Sequence, residues 1–444
     1  MGCRILRCFS LACAMAASAV AGRRVRREVR SLSEAEWGDV VDAMWTMKRL
    51  GQAEGEARYG PAFRTYDSFV AQHVVASLNA KCDAAHFSPI FVVWHRAFEL
   101  QFENALLAVN GNISGAPYWD YRPDADDPGR PGGVFTDHYF GDWVGQGPGF
   151  EVTNGRFADW PVAAAADGAQ GWRGLYGGLR GPMSMNRSPN ATRNGGTMCG
   201  VPVGVGNATW WAACLEPDDV RDMHLCIDYE VHGMAHFGVG GGWPRYAHQP
   251  SATGNISGNA APLCASFYGM VGSRGEDRQL GSYVYPINAG CLDCPDCAAE
   301  GLDEADCVCA CARDDCGCGG VWTGDPAYVE TIVAPEYVQV VGDMYDPISS
   351  PNDPLFFFHH VNMDRFFMAW QRTHRDAAPH YGFPRAGVKA DDVYCAAHLL
   401  DGVLGDDSWP IRDALPDQAG PLSPRDVFDR IGEDTAPYEY DTLD

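Results

Sequence analysis

Ser350-Pro-Asn-Asp-Pro-Leu-Phe-Phe-Phe-His-His-Val-Asn-Met-Asp-Arg365 is the stretch from which the rest of the chain can be read. Two adjacent histidines follow an apolar run and precede an Asp-Arg pair, and the pattern predicts a helix running on through Trp370. Burying paired imidazoles beneath Phe356, Phe357 and Phe358 is costly unless they have partners, and a metal ion is the partner that uses neutral imidazole best. Well upstream lies Tyr229-Glu-Val-His-Gly-Met-Ala-His-Phe-Gly-Val-Gly-Gly241. There His232 and His236 stand four apart and share one face of a helix. The two stretches together supply three nitrogen ligands without a thiolate or carboxylate. That donor set suits copper or zinc, and copper binds imidazole more tightly along the divalent series.

A second triplet occupies the N-terminal half: His73, then His86 and His95 within Ala85-His-Phe-Ser-Pro-Ile-Phe-Val-Val-Trp-His-Arg-Ala-Phe-Glu99. A lone histidine is more often a satisfied core or surface residue than a ligand. Two triplets, each set among apolar or aromatic residues, outweigh that base expectation. His138, His224, His248, His374, His380 and His398 lack such settings and read as ordinary.

The 444 residues suffice for one large domain or two ordinary ones. Residues 1–21 have the form of a secretory signal: Arg4 and Arg7 at the start, an apolar stretch from Cys8 to Ala17, and small residues Ala19-Val20-Ala21 at the end. The apolar run is too short for a membrane span. Residues 22–27 end in Arg23-Arg-Val-Arg-Arg27, open to two readings, a dibasic propeptide or a solvated basic patch, so the mature domain is expected over 28–444. Loss of residues 1–27 removes six arginines and no acids, taking the net charge from −25 to −31. So acidic a chain speaks against nucleic acid and anionic lipid as partners. Cys3, Cys8 and Cys13 depart with the signal, leaving fourteen of seventeen cysteines, an even number that fits disulfides in an oxidising compartment. Sequons at Asn112, Asn190, Asn207 and Asn255 agree with a secreted glycoprotein.

Ser33-Glu-Ala-Glu36 predicts a capping box ahead of an amphipathic helix from Trp37 to Leu50. A second helix is expected roughly from Ala62 to Leu78, carrying His73, and a third from about Trp94 to Val109, with His95 in its first turn. Residues 122–215, rich in Gly, Pro and Ala, read as long loops with short elements, and the chain past Trp370 as loops and short strands. Residues 291–318 hold eight cysteines and read as a disulfide-stapled insertion, with a thiolate metal cluster as the alternative.

Over about residues 28–441 the chain resembles the superfamily of tyrosinases, catechol oxidases and molluscan haemocyanins, whose hallmark is a coupled binuclear (type 3) copper centre. The resemblance is carried by His86-x8-His95 with Trp94-His-Arg96, by Pro117-Tyr-Trp-Asp120, and by His232-x3-His236 before Gly240-Gly241. It is carried further by Asp353-Pro354, His359-His360, Asp364-Arg365 and the terminal Tyr438-x-Tyr440. The resemblance implies a mainly α fold, a four-helix bundle with long loops, short strands and the Cys-rich insertion. It implies that His73, His86 and His95 hold one copper ion, and that His232, His236 and His360 hold the other. His359, about 100° round the helix from His360, is left to orient ligands. Glu99 and Asp364, one turn after His95 and His360, are expected to orient ligands or link helices, with an ordinary salt bridge, for example within Asp364-Arg365, as the alternative. The implied activity is oxidation of o-diphenols, and of monophenols where the site permits, to o-quinones with molecular oxygen. A reversible oxygen carrier and a zinc-loaded or metal-free relative are the alternatives. Two departures stand out. The position that carries asparagine in many monophenol-hydroxylating members is Gly233 here, which favours diphenols. The position of the usual thioether cysteine is Ala84, leaving Cys82 open to a thioether with His86 or to a disulfide. Small phenols and oxygen are the implied partners.

Overall fold

The computed structural model describes residues 23–77, 84–86, 89–127, 133–147, 149–163, 188–198, 201–242, 292–293, 310–311, 342–345, 350–375, 399–406, 409–415, 418, 420–432 and 434–444. The expected signal, Cys82, Asn255 and most of the Cys-rich stretch lie outside these residues. Of that stretch, Leu292–Asp293 pairs antiparallel with Ala310–Cys311.

Helix α1 (Glu34–Arg49) begins as its sequence predicts. The Ser33 hydroxyl accepts from the Glu36 amide, and the Glu36 carboxylate returns the bond to the Ser33 backbone. Such a cap is worth about 1 kcal/mol. A short α2 (Gln52–Tyr59) follows, which no sequence signal announces. Helix α3 runs Tyr66–Ser77, four residues later in its start than predicted. Helix α4 (Ile90–Val109) begins directly after Pro89, so His95 is its sixth residue and not in its first turn. The Ile90-Phe-Val-Val-Trp94 run is buried on every side. A continuous apolar run carries no helical period, and this hides its helicity.

Helices α5 (Ala208–Cys214) and α6 (Val220–Cys226) are tied by a Cys214–Cys226 disulfide. A π turn over Ile227–Val231 then leads without a break into α7 (His232–Gly240). Helix α8 (Leu355–Thr373) contains the whole Phe-Phe-Phe-His-His segment, and α9 (Pro424–Arg430) is a late short helix. Helix α8 packs along α4 and touches α7, while α1 packs on α3 and α4. Aromatic rings close the α3–α4–α8 seam: Phe69 meets Phe98, Phe102 and Phe357, and Phe102 stacks on Phe357 with centroids 3.8 Å apart. The described fold is thus mainly helical, with short strands and long irregular connections, as expected.

The first and last strands join. β1 (Arg24–Arg26) pairs in parallel with the C-terminal strand Tyr438–Tyr440. Arg26 is fully buried, its Nε donating to Glu103 at 2.6 Å and its Nη1 to Asp364 at 2.9 Å, with its guanidinium 3.4 Å from the centre of the Tyr438 ring. Residues 23–27 therefore belong to the folded body, and a cut after Arg27 would remove β1 and Arg26 from it. A buried arginine needs carboxylates of its own, and Glu103 and Asp364 supply them to Arg26.

Candidate metal centre

Four helices and one loop carry the histidines. α3 supplies His73, the loop at residues 84–86 supplies His86, α4 His95, α7 His232 and His236, and α8 His359 and His360. Among the described residues they form two groups, His73–His86–His95 and His232–His236–His359–His360, in each of which the potential ligand atoms lie within 4.8 Å of one another. All seven are buried.

The two groups face each other. The rings of His95 and His360 stack across them with centroids 4.4 Å apart and planes 18° from parallel; within the second group, Nε2 of His236 lies 3.2 Å from Nε2 of His360. Two ring orientations are set by backbone carbonyls. The Nδ1–H of His95 donates to Phe91 O at 2.9 Å, and the Nδ1–H of His236 to Met344 O at 2.7 Å. A carbonyl only accepts, so in both residues Nε2 is the nitrogen left as a lone-pair donor. Burial drives His95, His232, His359 and His360 well below the ordinary imidazole pKa, and the neighbouring rings add to the effect. His236 is lowered to about 4, again chiefly by burial. These imidazoles are neutral at physiological pH.

Buried imidazole nitrogens need partners. Nε2 of His95, Nε2 of His232, both nitrogens of His359 and Nδ1 of His360 have no hydrogen-bond partner among the described residues. A borderline-to-soft metal ion satisfies such a set, and no thiolate or carboxylate belongs to either group.

Of the phenylalanine run, only Phe356 faces the histidines. It stacks on His360 at 4.0 Å and meets His73 at 5.2 Å. Phe357 and Phe358 turn into the core, against Phe102 and against Trp37 and Phe140. The second aromatic wall is Phe91, a residue that the sequence alone does not single out. Its ring lies 4.6 Å from His95 and 4.4 Å from His232, so it touches both groups. Its spacing of one helical turn before His95 is the available signal. His224, ordinary by its sequence setting, is buried 5.7 Å from Phe91 but belongs to neither group. His138, ordinary by the same criterion, is exposed.

His359 does more than expected, since its ring stands 5.0 Å from His236 and stacks with His232 at 5.3 Å. The structure thus brings both members of the pair to the second group. Asp364 links helices, one of the two roles expected of it. It accepts from Arg96, from Arg26, and from the hydroxyls of Tyr438 and Tyr440, the last two each at 2.6 Å. Burial alone would raise its pKa, but the two guanidiniums and two hydroxyls outweigh that and hold the carboxyl below its ordinary range. The alternative, an ordinary salt bridge, holds as well, with Arg26 and Arg96 as the partners; the pair within Asp364-Arg365 does not form, because Arg365 donates to the carbonyls of Thr442 and Asp444. Among the described residues neither buried oxygen of Glu99 has a hydrogen-bond partner, a histidine nitrogen included.

A family model for the common central domain of tyrosinase matches residues 64–261 and 319–373. The chain belongs to the tyrosinase family. Among relatives of this tyrosinase-family chain, the tyrosinase of Streptomyces antibioticus is 29% identical over 151 residues, covering 32% of this chain and 49% of that protein. Hemocyanin type 2 unit e of Rapana venosa is 35% identical over 101 residues, 22% of each chain. The solved structure of a mutant polyphenol oxidase from Thermothelomyces thermophila aligns over 94% of this chain and 88% of its own, at 19% identity and a TM-score of 0.43. The chain spans about half the length, or less, of the curated relatives it matches. The family match encloses His73, His86, His95, His232, His236, His359 and His360.

Proposed function

We propose that this chain is a secreted copper-dependent oxidase that converts o-diphenols to o-quinones with molecular oxygen. The observation that carries the reading is the pair of buried histidine groups meeting at the His95–His360 stack, with imidazole nitrogens otherwise unsatisfied. His73, His86 and His95 would hold one copper, and His232, His236 and His360 the other. Such a pair supplies one-electron redox chemistry at each ion, so that two diphenols and one dioxygen become two quinones and two waters.

The chain's own residues shape that chemistry. Neutral imidazoles tolerate both copper oxidation states without adding charge. Phe91 and Phe356 wall the two groups with aromatic surface and exclude water from beside them. Carbonyl contacts from Phe91 and Met344 hold His95 and His236 in one tautomer and orientation. Asp228, 3.8 Å from Nδ1 of His232, biases the orientation of that ring. Gly233 offers no side chain to hold a water against an incoming phenol, which supports diphenols over monophenols. Secretion is supported by the form of residues 1–21, by the Cys214–Cys226 bridge and by the exposed sequon at Asn112. Among the described residues no helix is long and apolar enough to cross a membrane.

The test is oxygen uptake on a catechol and on its matching monophenol, with copper quantified in the same sample. Two coppers per chain with catechol turnover well above monophenol turnover is the expected result. An oxygen-dependent absorption band with negligible quinone would assign the chain to reversible oxygen carriage instead. Zinc in place of copper would remove the proposal.

A further inference from the structure

The helical path into the second histidine group contains one turn that is wound wider than its neighbours. α6 buries Val220, Met223 and His224, and that face continues through Ile227 and Val231. Carried on as unbroken α-helix at roughly 100° per residue, the same face would next present Ala235 and Gly238. His232 and His236 would then stand about a third of a turn away from it. The π turn over Ile227–Val231 takes up one extra residue. That extra residue rotates everything after it back by about 100°, which carries His232 and His236 onto the face that leads in from α6, in a helix that buries Ala235 and Gly238 as well.

Such a turn crowds the residue that follows it. A Cβ placed on Gly233 would lie 2.3 Å from the Asp228 carbonyl oxygen. This is a backbone atom and cannot swing aside as a side-chain tip would. The carbonyl involved belongs to a residue of the wide turn itself, five positions back. On the upstream side, the Cys214–Cys226 bridge anchors the residue immediately before the turn.

We infer that the π turn and Gly233 form a coupled positioning device that aims His232 and His236 at the centre, and that glycine is required at 233 for as long as the wide turn is present. A corollary bears on specificity and rests on the proposed function: no side chain at position 233 can meet a substrate unless the turn is first rebuilt.

The experiment is a double-mutant cycle on the full chain, comparing wild type, Gly233→Ala, deletion of Glu230 and the two combined. Glu230 is a half-buried member of the turn. Each protein is read by copper per chain and by apo-protein melting temperature. Gly233→Ala alone is expected to lower the apo melting temperature by several degrees and to lose one of two coppers. The deletion should shorten the turn to ordinary helix, keep far-ultraviolet helicity, and also hold a single copper, since His73, His86 and His95 are untouched. In the deletion background Gly233→Ala should cost nothing further. The inference is overturned if Gly233→Ala melts within about 1 °C of wild type and keeps both coppers. It is equally overturned if the alanine costs as much with the deletion as without it. Should the deletion protein fail to fold, the single alanine variant decides. Should wild type bind no copper, the proposed function fails, while the apo melting temperatures still decide the coupling.

Discussion

Asp364→Asn tests how far the histidine site depends on the clasp that joins the two ends of the described chain. The Asp364 carboxylate is buried with two guanidiniums, Arg26 at 2.9 Å and Arg96 through its Nε, together with the hydroxyls of Tyr438 and Tyr440. The amide keeps an oxygen for one or two of these donors but removes the charge. Arg26 would retain Glu103 at 2.6 Å. Arg96 would retain only neutral acceptors, the Gln371 side chain at 2.8 Å and the Ile431 carbonyl at 2.7 Å. Removing one member of a buried ion pair costs about 3–5 kcal/mol, most of it the penalty of the charge left behind. The expected loss at pH 7 falls in that range, read as a shift in denaturant midpoint at unchanged slope. Its pH dependence has a definite sign. The folded carboxyl titrates below its ordinary value of 3.8, so its contribution is complete above that value and is lost as pH falls through the folded pKa. The gap between wild type and variant should therefore be flat from neutral pH down to about pH 5 and close in stronger acid. A loss under about 1 kcal/mol at pH 7, or a gap that widens on acidification, would refute the account of Asp364 as the charged keystone between α4, α8 and the terminal strands.

His360→Ala should leave one copper per chain, and His359→Ala two with weaker retention, measured by metal analysis after dialysis; the opposite pattern would make His359 the ligand. Phe91→Ala removes the ring shared by both histidine groups and should cost about 3–5 kcal/mol in a denaturant melt, with faster copper loss to a chelator because water gains the vacated space. Glu99→Leu should stabilise the protein, since both carboxyl oxygens are buried without hydrogen-bond partners among the described residues and burial pushes the pKa well up. A raised folded pKa penalises the native state increasingly as pH rises above the ordinary 4.5, so the gain should be larger at pH 8 than at pH 5. A variant less stable than wild type at pH 8 would show that Glu99 has a partner after all.

What can be read from the sequence is whatever repeats at helical spacing or carries costly chemistry. His232 and His236 four apart, the His359-His360 pair under an aromatic run, and the capped start of α1 all show themselves, because amphipathic period and capping chemistry are local. The ends of α3 and α4 are less legible. Ile90-Phe-Val-Val-Trp94 is buried all round, and a segment without a polar face shows no period from which to read a boundary. The roles of Arg23–Arg27 and Asp364 are hidden for a different reason. Their meaning depends on partners such as Glu103, Tyr438 and Tyr440, which the fold supplies from distant positions. The π turn is the least visible feature, since one extra residue in a helix leaves no mark in composition.

The clasp and the histidine centre are two faces of the same helix pair. On α4, His95 faces His360 while the next residue, Arg96, faces Asp364. On α8, His360 faces inward and Asp364, one turn later, reaches Arg26 and the terminal tyrosines. Neighbours about 100° apart on a helix are bound to face different partners, and here that geometry sets a charge-paired seam directly beside a neutral one. The separation matters physically. Neutral imidazoles keep their lone pairs for a metal only if protonation is unfavourable, and the buried, aromatic-walled half of the α4–α8 interface ensures that. Ionised side chains, by contrast, hold two helices in register only if each charge finds its opposite, and the Arg26–Asp364–Arg96 cluster does so on the other half. A substitution that mixed the two, such as an acid carried one residue round either helix, would raise imidazole pKa values on one side and strand a guanidinium on the other. The His-Arg order at 95–96 and the His-x3-Asp order at 360–364 keep the two kinds of chemistry apart.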